Sequence, residues 1–389
     1  MIANPPYVDI KGMPQNEVRT YFNRFSTAEK RINLYALFIE FGFSLLSPNG
    51  ILCYINPNSL LVNESYKKLR EKIIDDVAQV IKLPDAIFKQ AIVETMILLL
   101  IKGCNEDSIK GLYFKNNEKP TFNNLRFRPF SRRQWKQDAS KRFNIFTSPQ
   151  TSCLLRKIED GSTPLSSYID SSLGITPYDK AKGHTPQMIK DRVFHSESPL
   201  STDYVPLIEG RNIHPYCVTN EIHEYLKYGP WLGAPREKRF FTDPRVIVRQ
   251  IVGGKDLEII AAYADREFYF TQIGFALIPK SHRKDDAKYF TALLNSKLIS
   301  FYHKYTFLDP EKILFQKVLI ANVKQLPIKV ADTYQEIVCL VDCILDVEDK
   351  TSSSMLNGLQ DKIDELVFET YGLSSEEKAF IKQQFTSIS

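Results

Sequence analysis

Asn4, Pro5, Pro6 and Tyr7 are the run of residues in this 389-residue chain best suited to chemistry on an amine. An exocyclic amine on a heterocycle has its lone pair delocalised into the ring, so a catalyst must accept its N–H protons to restore nucleophilic character. Asn4 supplies a side-chain carbonyl acceptor and Pro5 a backbone one. Two successive prolines hold φ near about −65° and so keep both acceptors in one geometry. Tyr7 adds a flat face on which an extruded base could stack. A surface turn built on two prolines is the competing reading of four such residues.

The neighbouring segments must position that loop. Met1-Ile2-Ala3 reads as the stub of a buried strand, which places the tetrapeptide at a strand's carboxyl end, where open α/β sheets put their ligands. Residues 33–46 carry apolar side chains at helical spacing. Ser47-Pro48-Asn49-Gly50 then turns into a short apolar strand over 51–55, ending at Asn56-Pro57. A further helix is expected over 65–77, with strands over 79–83 and 94–101.

In that order the segment resembles the second half of the adenine-specific methyltransferases of the TaqI kind, including those fused into type IIG restriction-modification enzymes. The most specific elements are Asn4-Pro5-Pro6-Tyr7, the Asn33-Leu34-Tyr35 helix leading into Pro48-Asn49-Gly50, and Ile87-Phe88 ahead of Val93-Glu94-Thr95. The resemblance implies DNA N6-adenine methylation by base flipping, with Asn4, Pro5, Pro6 and Tyr7 as the catalytic loop. An aromatic matching Phe88 packs against the flipped base in the family, which makes Phe88 a candidate stacking partner to Tyr7; an ordinary core phenylalanine is the alternative. The implied fold is α/β: a partial Rossmann-like methyltransferase sheet, a mixed α+β target-recognition domain and a C-terminal helical segment.

The family binds S-adenosylmethionine through a glycine-bearing strand–helix turn and a downstream acidic residue, both ahead of the catalytic loop. Here the loop begins at residue 4, and Gly253-Gly254 lies in a basic, β-rich stretch with no helix pattern after it. The expectation is that most of the donor site lies outside this chain. It would then be a truncated product, or one half of a split enzyme completed by a second polypeptide, with a nuclease as another candidate partner.

Between Arg126 and Arg142 the chain reads RFRPFSRRQWKQDASKR, a basic run broken by a single acid and interleaved with aromatics. Arg126, Arg128, Arg132, Arg133 and Lys136 are read as phosphate contacts in a linker over 104–150 that joins a catalytic part, 1–103, to a recognition part, 151–330. A solvated interdomain loop is the alternative. In the recognition part, strand and turn patterns recur over 165–177, 204–213, 243–249 and 268–271, and a helix is expected to begin at 293. Candidate DNA contacts there are Arg211, Asn212, Arg236, Lys238, Arg239, Arg245, Arg249 and Lys255, with Arg245 and Arg249 on one face of a strand.

Residues 331–389 read as a helical tail. Tyr334, Ile337, Val338, Val341, Ile344 and Leu345 make one apolar stripe, and Ser374 with Glu377 reads as a capping box. That cap accounts for Glu377, and with no acidic partner upstream the Glu376/Lys378 spacing is not read as a nuclease motif. Six cysteines without metal-type spacing favour a reducing cytoplasm, no apolar run is longer than 96–101, and the mild net charge of +5 agrees with a nucleic-acid binder; the resemblance implies duplex DNA as the partner. Two other classes stay open: a DNA-specificity module without chemistry, and a methyltransferase for RNA or for a protein amine.

Overall fold

The computed structural model describes all residues except 30–32, 85–86, 88–92, 105, 115–122, 124, 139, 252–256, 309–315, 331, 348–352 and 386–389. The chain divides into two compact units, Met1–Ser148 and Pro149–Ser389. Among the described residues no helix is long and apolar enough to cross a membrane.

The first unit is built on a six-stranded mixed sheet. Its strands are β1 (Ile2–Ala3), β2 (Ile51–Pro57), β3 (Val77–Lys82), β4 (Thr95–Ile101), β5 (Ser108–Tyr113) and β6 (Arg128–Ser131), in the spatial order β1-β2-β4-β3-β5-β6. β1 runs parallel to β2, with Ile2 opposite Cys53, and β4 runs antiparallel to both β2 and β3. Four helices accompany the sheet: α1 (Gln15–Arg24), α2 (Leu34–Ser44), α3 (Lys67–Ile73) and α4 (Arg132–Gln137). Side chains alternate across a strand, and here that alternation separates two unlike faces. Leu52, Tyr54, Met96, Leu98 and Leu100 are buried against Tyr35, Ile39, Leu69 and Ile73 of α2 and α3. Cys53, Ile55, Ile97, Leu99 and Ile101 on the other face are half-exposed.

The turn into β2 shows the local chemistry. Asn49 sits in the left-handed region at φ 61°, and Gly50 donates its N–H to Ser47 at 2.8 Å. A Cβ on Gly50 would lie 2.8 Å from the Ser47 carbonyl oxygen, so only glycine fits the close approach.

The strand expected at the start of the chain forms, but it is not buried. Ile2 is 90% exposed because β1 is the edge of the sheet and nothing in the described residues pairs with its outer side. The segment 104–150 is likewise not a linker. β5 and β6 extend the sheet, and Trp135 of α4 stacks on Phe143 at 4.8 Å inside the same core. The aromatics Phe130 and Trp135 of the basic run pack in or against that core, so their apolar area is taken up by folding.

The second unit comprises α5 (Pro149–Glu159), β7 (Thr163–Pro164), β8 (Ile169–Leu173), α6 (Pro186–Lys190), β9 (His195–Ser196), β10 (Tyr204–Ile208) and β11 (Glu224–Lys227). There follow α7 (Arg239–Thr242), β12 (Arg245–Arg249), β13 (Ala261–Ala264), β14 (Tyr269–Phe270), β15 (Gly274–Pro279), α8 (Lys284–Asn295) and α9 (Lys297–Phe307). The unit ends with α10 (Ile320–Val323), β16 (Pro327–Ile328), α11 (Tyr334–Asp346), α12 (Ser353–Thr370) and α13 (Ser375–Gln383). A central antiparallel sheet, β13-β12-β15-β8, is covered on both faces. Val246, Val248, Phe275 and Leu277 point into a core shared with the helices, while Ile247, Ala276 and Ile278 point toward the second sheet, β14-β10-β11-β9.

The helix expected to begin at 293 is two helices. α8 already starts at Lys284, and Ser296 breaks the pair, its hydroxyl accepting the N–H of Ile299 as an N-cap. The tail belongs to this unit. Ile337, Val338, Val341 and Ile344 are buried in its core, and the Ser374/Glu377 capping box forms with both hydrogen bonds present.

Candidate active site and nucleic-acid interface

The Asn4–Tyr7 loop leaves the carboxyl end of β1 beside the carboxyl end of β2. Pro5 is buried, whereas Asn4 and Pro6 are exposed and Tyr7 is half-buried. Tyr7 is held from two sides. Its hydroxyl donates to the Ile55 carbonyl on β2 at 2.9 Å, and its ring meets Tyr35 edge to face, centroids 6.2 Å apart. Tyr35 is in turn tilted against Tyr66 at 5.4 Å and hydrogen-bonded to the Ser59 hydroxyl at 3.0 Å. Burial pushes both the Tyr7 and Tyr35 hydroxyls above their ordinary range, so each stays protonated near neutrality.

The chain just beyond the loop is pinned to the amino end of α2. Leu34 donates its N–H to the Val8 carbonyl at 2.9 Å, and Asn33 caps the helix by accepting from the Tyr35 N–H. At the same end of the sheet, Asn58 donates to Glu94 at 2.8 Å through its side-chain amide, and its backbone N–H reaches the Glu94 carbonyl at 2.9 Å. Asn58, Ser59 and Glu94 therefore frame the loop that Tyr35 and Ile55 support. Sequence reasoning identified Tyr35 only as part of a helix, since a contact across 28 positions leaves no periodic signal. Phe88, the other expected stacking residue, lies outside the described residues, as does Lys255.

The predicted DNA contacts divide sharply. Arg126 and Arg133 are exposed. Lys136 forms an ion pair with Asp75, and Arg128 lies over the Tyr113 ring at 4.9 Å while donating to the Ile145 carbonyl at 3.2 Å. Arg132 faces inward, its guanidinium donating to the carbonyls of Glu106, Ile74 and Val77. Arg245 is fully buried and donates to the carbonyls of Asp243, Arg266 and Phe268, so it does not share a free face with Arg249. Asn212 is buried too, its amide bonded to Glu209, Thr219 and Glu221 around a one-turn 3₁₀ helix. These three side chains hold the backbone in place of contacting a ligand. An irregular segment has carbonyls to satisfy, and a guanidinium or carboxamide can satisfy several at once.

The remaining candidates are accessible but partly occupied. Arg211 pairs with Glu209 at 2.7 Å, and Arg239 with both Asp170 and Glu237 at 2.9 Å. Lys238 stands 3.6 Å from Glu267. Half-buried Arg236 and Arg249 each donate to one carbonyl, of Gly174 and Ile251.

Residues 1–88 match the family of Eco57I restriction-modification methylases, and residues 205–328 match the TaqI-like C-terminal specificity domain. The chain is thus similar, in this order, to two parts of the TaqI-like restriction-modification methyltransferases. It is 25% identical over 321 residues to the type II methyltransferase M.TthHB8I of Thermus thermophilus, an alignment covering 79% of this chain and 68% of that one. A Methanocaldococcus jannaschii protein named as a type II restriction enzyme and methyltransferase is 24% identical over 387 residues, 95% of this chain. The chain spans 31% of the length of that archaeal relative. The fold is also that of the type IIL restriction-modification enzyme MmeI, solved in complex with DNA, with a TM-score of 0.63 at 12% identity over 99% of this chain and 56% of that one. A nuclease-deleted type ISP enzyme, LlaGI, solved with a DNA substrate mimic, overlays with a TM-score of 0.54 at 11% identity, covering 90% of this chain and 35% of that one. The methyltransferase family uses S-adenosylmethionine in general.

Proposed function

We propose that this chain carries the target-amine loop and the DNA-recognition part of a restriction-modification N6-adenine methyltransferase. The observation that carries the reading is the Asn4–Tyr7 loop at the end of the parallel β1/β2 pair, with Asn4 exposed and Tyr7 fixed by Ile55 and Tyr35. In this reading the side-chain carbonyl of Asn4 and the main-chain carbonyl of Pro5 accept the two amino hydrogens of a flipped adenine, and the Tyr7 ring stacks on the base. The Ile55 anchor sets the plane of that ring before the base arrives, which lowers the ordering cost of binding. Arg126 and Arg133, both exposed, are retained as phosphate contacts, although Arg133 stands close to Asp107, which accepts its backbone N–H at 2.9 Å.

The described residues do not by themselves fit S-adenosylmethionine. Among them, neither strand of the parallel β1/β2 pair leads into a glycine-rich turn that opens a helix; the two run into Asn4-Pro5 and Asn58-Ser59. What the first unit does offer is an apolar flank. Ile2 and Ile51 at the β1 edge are 90% and 49% exposed, and Phe38, Phe41 and Leu45 of the α2 region are 44%, 44% and 56% exposed. A helix that is apolar all round is ordinarily covered. The reading assigns this flank to an α/β segment that carries the donor site and extends the sheet alongside β1.

The test is transfer of a labelled methyl group from S-adenosylmethionine to mixed-sequence duplex DNA, with this chain alone and with candidate donor-binding segments added. Label at adenine N6 that disappears in Asn4→Ala supports the reading. Full methylation by Asn4→Ala would overturn it, and stronger labelling of RNA would move the assignment to that substrate.

A further inference from the structure

Most cations proposed from sequence as DNA contacts in the second unit are paired with carboxylates or turned toward carbonyls; two lysines that the sequence did not single out lack such a carboxylate, although one of them also reaches a carbonyl. Lys182 and Lys227 have no carboxylate partner among the described residues. The Lys182 ammonium donates to the Leu232 carbonyl at 3.1 Å, and that of Lys227 lies 5.1 Å from the centroid of the Trp231 ring. One charge thus lies against an exposed indole, and the other is bonded to the main chain of the residue that follows it.

That indole is placed rather than free. Its Nε1–H donates to the Lys227 carbonyl at 2.9 Å. Its ring lies directly on the Gly229 backbone, where a Cβ would come within 2.4 Å of two ring carbons. The two loops carrying these residues are zipped together. Thr176 and Ala234 exchange backbone hydrogen bonds at 3.0 and 2.8 Å, and Gly233 donates to the Pro177 carbonyl. His184, buried between them, accepts the Asp179 N–H on Nδ1 at 2.8 Å, so its Nε2 carries the proton and donates to the Trp231 carbonyl at 2.9 Å. The only acid in this turn, Asp179, is committed to capping Ala181.

We propose that the Lys182–Trp231–Lys227 surface is a DNA-backbone clamp: the two ammonium groups neutralise phosphates, and the indole packs against a deoxyribose between them. This deepens the recognition reading above and rests on it. The indole N–H is already bonded to a carbonyl, so the ring cannot donate to a base edge, and a lysine ammonium is a point charge without bidentate selectivity. The clamp therefore contributes affinity and register without sequence preference. A rigid support suits that task, because little side-chain freedom remains to be lost on binding.

The experiment is titration of a fluorescent mixed-sequence duplex with the full 389-residue chain across a salt series. Lys182→Ala with Lys227→Ala is expected to lower the slope of log affinity against log salt by about 1.8, corresponding to two phosphate contacts. Trp231→Ala is expected to weaken binding roughly fivefold with little change of slope, in line with the scale of aromatic contacts to nucleic acid. Lys362→Ala, an exposed lysine on α12, serves as the charge control, and near-ultraviolet circular dichroism checks that each variant is folded. Wild-type slope and affinity in the folded double variant would overturn the clamp while leaving DNA binding intact. Absence of binding by the wild type would overturn the clamp and the recognition reading together.

Discussion

Arg70→Met should unfold the first unit far more readily than any surface substitution in it. Arg70 is fully buried on α3 and donates to four carbonyls: Leu60 and Asn63 from Nη1, at 2.9 and 2.7 Å, Ser140 from Nη2 at 2.7 Å and Lys141 from Nε at 2.9 Å. Burial lowers its pKa only to about 10, so the group is charged at neutral pH. Four hydrogen bonds from a charged donor, at about 1.5–3 kcal/mol each, would suggest far more than is realistic, because desolvating the guanidinium offsets much of it. Removing one side of such a buried set costs about 3–5 kcal/mol, since the abandoned carbonyls have no water to replace the donor. Asn63 keeps a second donor in the Tyr66 N–H, which favours the lower end of that range. Trp135 stacks on Phe143 next to the segment that Arg70 ties down, and in a Trp231→Phe background it is the single tryptophan. Its fluorescence during urea unfolding then reports on the first unit. Arg70→Lys should recover only part of the loss, because one ammonium cannot span the same four oxygens. An Arg70→Met variant within about 1 kcal/mol of the parent would refute the reasoning, since that is the range of ordinary surface changes.

Tyr7→Phe should lose about 1 kcal/mol of the loop's anchoring and lower methylation modestly in a complete assembly, whereas Tyr7→Ala should nearly abolish it; equal effects would sink the stacking role. Glu40 accepts from the backbone N–H and hydroxyl of both Ser26 and Thr27 and from Lys72, and despite the opposing effect of burial these partners bring its pKa down to about 2. A depressed carboxylate stabilises the fold above its unfolded pKa and stops doing so as pH falls through the folded one. Glu40→Gln should therefore cost up to about 3 kcal/mol near pH 6, with the gap to wild type closing between about pH 4.5 and 2; a pH-independent gap in urea midpoints would contradict this. Gly174→Ala places a Cβ 1.9 Å from the Thr271 carbonyl oxygen, and because a backbone atom cannot swing aside, a loss of about 3 kcal/mol is expected by thermal unfolding.

The sequence by itself determined the locally coded parts of this protein. Two prolines after Asn4 restrict the backbone wherever they occur, the apolar run over 34–44 is helical by spacing and by its Asn33 cap, and Ser374 with Glu377 writes a helix start in four residues. The pattern over 243–249 likewise announced β12, although which face met helices and which met a second sheet was not written in the alternation, and the neighbouring β15 was not read from the sequence. Tertiary structure alone decided the fate of the charges. Arg126 and Arg132 are six positions apart in one basic run, yet the first is exposed and the second satisfies three carbonyls, because only folding brings residues 74, 77 and 106 around it. The same holds for Tyr7, whose neighbours Tyr35 and Ile55 are remote in the chain, and for Trp231, whose exposure and rigidity arise from Gly229, Lys227 and His184 meeting across two loops. Backbone preferences act within a few residues and can be read along the chain; the destination of a long polar side chain depends on which unpaired carbonyls the packed chain leaves within its reach.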